Sequence, residues 1–233
     1  MGCRTVDECL ELLRATPNLE KCVVRLTQSQ PRDSHSPVQL LRLRSMIITG
    51  ESLHLFDTLL LPKLQEISIE ILKDQWIATQ QLISLLSQCS LKTLCLKLAH
   101  PPPDYDMIKI LQVCPSLVRL DLQGRSPRCM TTSFLARFAR QDPENLMVKE
   151  LVPMLQTLIV DYIPAHFNIS HFLDTIQSRV SSNDQGLASD HITIRRVEIR
   201  DMRDNMLGRT FDPVISRLRQ LAGTGLDICL VKG

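Results

Sequence analysis

Aromatic residues are scarce in this chain, 4% of 233 with a single tryptophan, so rings are not the main filling of its interior. Leu, Ile and Val dominate instead, the filling expected of thin stacked layers. No apolar run approaches the ~20 residues needed to cross a bilayer. Arg4, Asp7, Glu8, Glu11 and Arg14 break up any signal-peptide core. Met1-Gly2-Cys3 opens like an acylated N-terminus, but Val6 stands where the myristoylation pattern wants Ser or Thr. The tail 230–233 is no prenylation box. The expectation is a cytoplasmic or nuclear protein with no membrane partner.

An excess of one charge is also missing. The net charge is +2, whereas phosphate-backbone binding requires a concentrated basic face. The nearest candidate, Arg195, Arg196, Arg200, Arg203 and Arg209, is interleaved with Glu198, Asp201 and Asp204. That pattern describes a mixed solvated face, so no nucleic-acid partner is expected.

The phrases that announce catalysis are absent: no G-x-S-x-G elbow, no P-loop and no H-E-x-x-H. His166 and His171 lack further donors for a metal, and with Asn168-Ile169-Ser170 they suit the polar start of a helix. Asp104 and Asp106 suit helix-start charges in the same way. No C-x-x-C pair occurs, which argues against a zinc ribbon. The eight cysteines, without a secretion signal, are expected to be reduced thiols. Cys22 takes a place otherwise held by Leu, Val or Ile, and Cys89 and Cys114 close helix-like segments. No cofactor, no metal and no enzymatic activity are expected; a small enzyme with unrecognised chemistry is the most distant alternative.

What the chain does contain is a recurring phrase, L-x-x-L-x-L. Leu91-Lys92-Thr93-Leu94-Cys95-Leu96 and Leu117-Val118-Arg119-Leu120-Asp121-Leu122 are two clean copies. Alternation at the end of the phrase fits a short strand with one buried face, and the stretch before it has a helical period. Phrases start at 19, 43, 64, 91, 117, 155 and 194, spaced by 24, 21, 27, 26, 38 and 39 residues. The first four spacings bracket the leucine-rich repeat, and the last two fit that repeat with an inserted loop. Helices are predicted over 6–15, 77–88, 104–114, 131–140, 168–180 and from Asp212-Pro213, with a short helix or 3₁₀ segment over 53–60. Loops are predicted over 27–37, 141–150 and 181–191, and Leu226 to Val231 forms an atypical last strand. One such unit cannot bury both its faces, so recurrence implies stacking. The expected fold is α/β, a leucine-rich-repeat solenoid (horseshoe) with a parallel concave sheet and helices on the convex side. It forms one domain, 1–233, of seven irregular repeats and a C-terminal helix-strand cap. A conventional βαβ sheet is the structural competitor.

Cys114-Pro115-Ser116-Leu117-Val118-Arg119-Leu120-Asp121-Leu122 resembles the core of cysteine-containing leucine-rich repeats, and Cys89-Ser90-Leu91 is that element shortened by one residue. Leu61-Pro62-Lys63-Leu64-Gln65-Glu66-Ile67-Ser68-Ile69 and the closing helix-Gly-strand resemble repeats of fungal F-box proteins. The resemblance covers nearly the whole chain through degenerate motifs. It implies the substrate-recognition part of a cullin-type ubiquitin ligase, where an F-box docks the ligase adaptor and the repeats hold a protein target. No F-box helix start, L-P-x-E-I/L, precedes the first repeat here. The adaptor is therefore an expected partner only if an F-box lies upstream.

In each phrase the leucines should point into the core and the residues between them to the concave face. This places Lys21, Val23 and Arg25 beside Ser45, Ile47 and Thr49. Glu66, Ser68 and Glu70 come next, then Thr93, Cys95 and Lys97. Arg119, Asp121 and Gln123 lie near the middle, followed by Thr157, Ile159 and Asp161; Arg196, Glu198 and Arg200 close the row. The mixture of both charges with hydroxyls suits a protein partner. The sharpest expectation falls on Arg119 and Asp121 as central contact residues. A stand-alone repeat scaffold or inhibitor unrelated to ubiquitin is the main alternative function.

Overall fold

The computed structural model describes residues 2–3, 5–27, 36–50, 53–71, 79–99, 102–124, 130–139, 150–161, 169–180, 194–200 and 212–231. Residues 28–35 of the loop predicted over 27–37, 77–78 of the helix predicted over 77–88 and 141–149 of the loop predicted over 141–150 lie outside them, as do the loop over 181–191 and His166, Asn168, Asp201, Arg203, Asp204 and Arg209.

Strand β1 (Gly2–Cys3) leads to helix α1 (Val6–Ala15) and strand β2 (Lys21–Leu26). Strands β3 (Val38–Gln39) and β4 (Ser45–Gly50) follow, then a 3₁₀ helix (Leu53–Thr58), β5 (Leu59–Leu60) and β6 (Glu66–Ile71). From there helices and strands alternate: α2 (Thr79–Leu86), β7 (Thr93–Leu98), α3 (Asp104–Gln112), β8 (Arg119–Gly124), α4 (Thr132–Phe138) and β9 (Thr157–Asp161). The chain closes with α5 (Ile169–Val180), β10 (Arg196–Arg200), α6 (Asp212–Gly223) and β11 (Asp227–Val231). Eight strands of five or six residues and the two-residue β1 form one parallel sheet in the order β1-β2-β4-β6-β7-β8-β9-β10-β11. Strands β3 and β5 pair separately. The order follows the chain without reversal, so the sheet has no switch point of the doubly wound kind.

Six of the seven phrases build the neighbouring strand in the same way. The residue after the first apolar position offers one carbonyl to two successive amides of the next strand. Glu20 accepts from Arg44 and Ser45, Arg44 from Gln65 and Glu66, and Gln65 from Lys92 and Thr93. Lys92, Val118 and Gln156 repeat the pattern. The residue three places before the first leucine closes the preceding turn: the Leu117 amide donates to Cys114 O at 3.1 Å, and Leu64 to Leu61 O at 3.1 Å. This turn is what the C-x-x-L wording encodes.

Leucines and isoleucines of the strands pack with the helices into one continuous core, for example Leu94 and Leu120 with Leu85, Met107 and Leu111. Each fully buried side chain of this size contributes about 1.5–3 kcal/mol. Buried cysteine behaves here as a small hydrophobe: burial pushes the Cys114 thiol up to about 12 and the Cys89 thiol up to about 11. Helix starts are tied to their neighbours. Thr5 Oγ1 caps α1 by accepting from Glu8 N at 3.2 Å. Thr79 donates to Asp106 at 3.1 Å, linking α2 to α3, and Thr131 donates to Asp104 at 2.5 Å, linking α3 to α4. Asp104 and Asp106 are thus helix-start charges that also fasten helix to helix.

Two features escape the periodicity. Gly50 has φ +118°, and a Cβ there would lie 1.9 Å from the Leu26 carbonyl oxygen, so only glycine lets β4 end against β2. Arg179 on α5 is buried, donating to the carbonyls of Phe138 at 2.9 Å, Leu151 at 3.0 Å and Val152 at 2.8 Å. It also stacks on Phe138 and pairs with Glu150 at 3.4 Å. This one side chain ties α4, the approach to β9 and α5 together.

Candidate functional site

Parallel pairing in strict register turns the residues between the leucines into three straight rows on the sheet face opposite the core. The first row runs Lys21, Ser45, Glu66, Thr93, Arg119, Thr157, Arg196, Asp227. The middle row runs Val23, Ile47, Ser68, Cys95, Asp121, Ile159, Glu198, Cys229. Arg25, Thr49, Glu70 and Lys97 begin the third row, and Gln123 follows on β8. Asp161, Arg200 and Val231 end it. All eleven candidate side chains, Lys21, Arg25, Glu66, Glu70, Thr93, Lys97, Arg119, Asp121, Asp161, Arg196 and Glu198, therefore lie on one face. They do not lie on it in the same state.

Over β2 to β7 the charges stand alone. Lys21, Arg25 and Glu66 are exposed and Glu70 and Lys97 are half-buried, and among the described residues none of them forms an ion pair. Between the basic column on β2 and the acidic column on β6 lies β4, which presents Ile47. Val23 and Ile47 are neighbours in register and are 41% and 39% exposed, large apolar groups in contact with water. Further along the same row, beyond Ser68, the Cys95 thiol is half-buried, and burial, with the neighbouring Asp121 carboxylate, pushes it up.

Over β8 to β11 the charges satisfy each other. Arg119 pairs with Asp121 at 3.7 Å, and Gln123 donates to Asp121 at 3.0 Å. Arg200 donates to Glu198 through Nε at 2.7 Å and also lies 3.9 Å from Asp121. Because β9 separates β8 from β10, the Arg200–Asp121 contact has to cross over β9. Arg196 pairs with Glu198 at 3.1 Å and with Asp227 at 3.2 Å, carrying the network to β11. Under this lattice Ile159 is only 1% exposed, although it is not part of the core cluster. The Arg200 hydrogen bond, opposed by burial and reinforced by Arg196, holds the Glu198 carboxyl below the usual carboxylate range. The same hydrogen bond raises Arg200.

Asp121 and Glu198 were expected as solvent-facing contact residues, and here the structure differs. They are 4% and 8% exposed, on the expected face but enclosed by guanidinium groups. The Asp121 carboxylate, which accepts from Gln123 and is paired with Arg119 and Arg200, has little left to offer a partner. Asp227 is the connector that strand patterning did not single out, since its partner Arg196 stands on another strand; Arg200 was placed in the row, but its reach to Asp121 two strands away was not. Arg179 had a signal, because Phe172, Ile176 and Arg179 fall at i, i+4 and i+7 on the inner face of α5.

Among the described residues no three His, Cys, Asp or Glu side chains are grouped to hold a metal ion, and no helix is long and apolar enough to cross a membrane. Searches against protein-family models, curated proteins and solved structures found no match for this chain.

Proposed function

We propose that this chain is a leucine-rich-repeat solenoid acting as a protein-interaction module, and that its binding surface is the β2–β7 part of the face opposite the core. The carrying observation is the contrast within the three rows. Unpaired Lys21 and Arg25 on β2 and Glu66 and Glu70 on β6 flank exposed Val23 and Ile47. Unpaired charges around an apolar centre give a partner both desolvation energy and orientation, whereas pre-paired charges give neither. The monotonic strand order and the carbonyl fork repeated at six strand entries support the solenoid reading.

The narrower reading is the substrate-recognition part of an F-box-type ubiquitin ligase receptor, with an unidentified protein target. It rests on the wording of the repeats around Cys114–Leu122 and Leu61–Ile69. Co-precipitation of a ligase adaptor with the full gene product tests it; absence of adaptor leaves the scaffold or inhibitor reading in its place.

The interaction reading is tested by affinity capture with three baits: wild type, Lys21→Glu/Glu66→Lys and Arg119→Ala/Gln123→Ala. Proteins captured by wild type should be lost with the first variant and kept with the second. Equal capture by all three baits refutes the assignment of this surface.

A further inference from the structure

We infer that the outer edge of β11 is a self-association site, where a second copy of this chain pairs with it antiparallel about Cys229. Among the described residues strand β11 is the last strand of the sheet, and its only neighbour is β10. Leu230 is in register with Ile199, a core position that is fully buried on β10, yet Leu230 itself is 45% exposed. Ile228, in register with buried Val197, is only partly covered. The apolar rows thus run off the end of the sheet uncovered, beside a strand edge with hydrogen bonds to give.

The backbone phase selects the occupant's geometry. Asp227 N donates to Arg195 O at 2.8 Å, so Asp227, Cys229 and Val231 direct their amides and carbonyls to β10. Ile228 and Leu230, by alternation, direct theirs outward. A two-fold axis through Cys229, perpendicular to the sheet, is the one antiparallel register that pairs every residue of β11 with a second β11. Ile228 of each copy then exchanges both backbone hydrogen bonds with Leu230 of the other, and their side chains meet on the core side. The exposed apolar positions of both copies close over each other. Asp227, the only charge on the strand, faces Val231 and not its own equivalent, so no like charges oppose. Cys229 meets its equivalent as a non-hydrogen-bonded pair, with Cα atoms about 4.5 Å apart, within the range a disulfide spans.

The test uses the full chain. Sedimentation under reducing conditions, across roughly 10 to 500 μM, the weak range expected of a small strand-edge interface, should show the mass rising toward twice that of the monomer. Diamide, which takes up the two thiol hydrogens, should then yield a disulfide-linked dimer that Cys229→Ser abolishes. Leu230→Lys should remove the dimer while circular dichroism stays unchanged. Leu230→Pro gives a second variant, because it deletes only an outward amide and leaves the β10 ladder intact. A monomer at every concentration overturns the proposal. So does a dimer that survives both Leu230 variants, or a cross-link that persists in Cys229→Ser.

Discussion

The two halves of the sheet face are built from the same kinds of residue and end in opposite conditions. Over β2 to β7, basic and acidic columns stand apart with Val23 and Ile47 open between them. Over β8 to β11, Arg119, Arg196 and Arg200 reach Asp121, Glu198 and Asp227 and close over Ile159. The difference lies in where charges fall from strand to strand. Arg200 has a carboxylate in its own row-neighbourhood on β10 and another two strands away, whereas Lys21 and Arg25 face hydroxyl and apolar groups on β4. Similar charge content thus leaves one half of the face pre-paired and the other unpaired.

That comparison is sharpened by variants ordered by expected effect on stability. The largest concerns the support of the closed half: Arg179→Met should cost about 3–5 kcal/mol, because it leaves three buried carbonyls without a donor and Glu150 without its partner. Urea denaturation measures it, and a cost under ~1 kcal/mol would show that the tie is ornamental. Gly50→Ala tests the support of the open half. Its Cβ would meet the Leu26 carbonyl at 1.9 Å, and a loss of about 2–3 kcal/mol is expected.

Within the closed half, Glu198→Gln should cost about 1–2 kcal/mol at neutral pH and should change the pH dependence. The native carboxyl of Glu198 is depressed, first by the Arg200 hydrogen bond. Its contribution is therefore complete above the unfolded value of about 4.3 and disappears as pH falls through the native value. The acid limb of wild-type stability below about pH 4 should be steeper than that of the variant; parallel limbs would contradict the network. The smallest stability effect is expected from Lys21→Glu/Glu66→Lys, within about 0.5 kcal/mol, together with the largest loss of captured protein. Comparable stability losses for the two charge variants, Glu198→Gln and Lys21→Glu/Glu66→Lys, would erase the distinction between the halves.

Much of the fold was legible along the chain. The phrases at 19, 43, 64, 91, 117, 155 and 194 each precede a strand that begins two residues later, at Lys21, Ser45, Glu66, Thr93, Arg119, Thr157 and Arg196. Helix α1 spans the predicted 6–15, and α5 and α6 start within one residue of their expected positions. These elements depend on local period, which is a property of neighbouring residues. The face on which Arg119 and Asp121 lie was equally legible, since alternation alone decides it. Their mutual pairing and the burial of Asp121 were not, because they depend on Arg200 and Gln123 as well.

The sequence by itself determined which residues face the core, where each strand begins and which side chains share the opposite face, because periods of 2 and 3.6 act over a few residues. Only the tertiary structure decided which of those shared-face charges are already spent, because parallel pairing brings Asp121 and Arg200 together across β9 from distant parts of the chain. The same holds for the edge at β11, where Leu230 occupies a core position yet stays 45% exposed. Alternation fixes the direction of a side chain, but its surroundings depend on the strands that come to lie beside it.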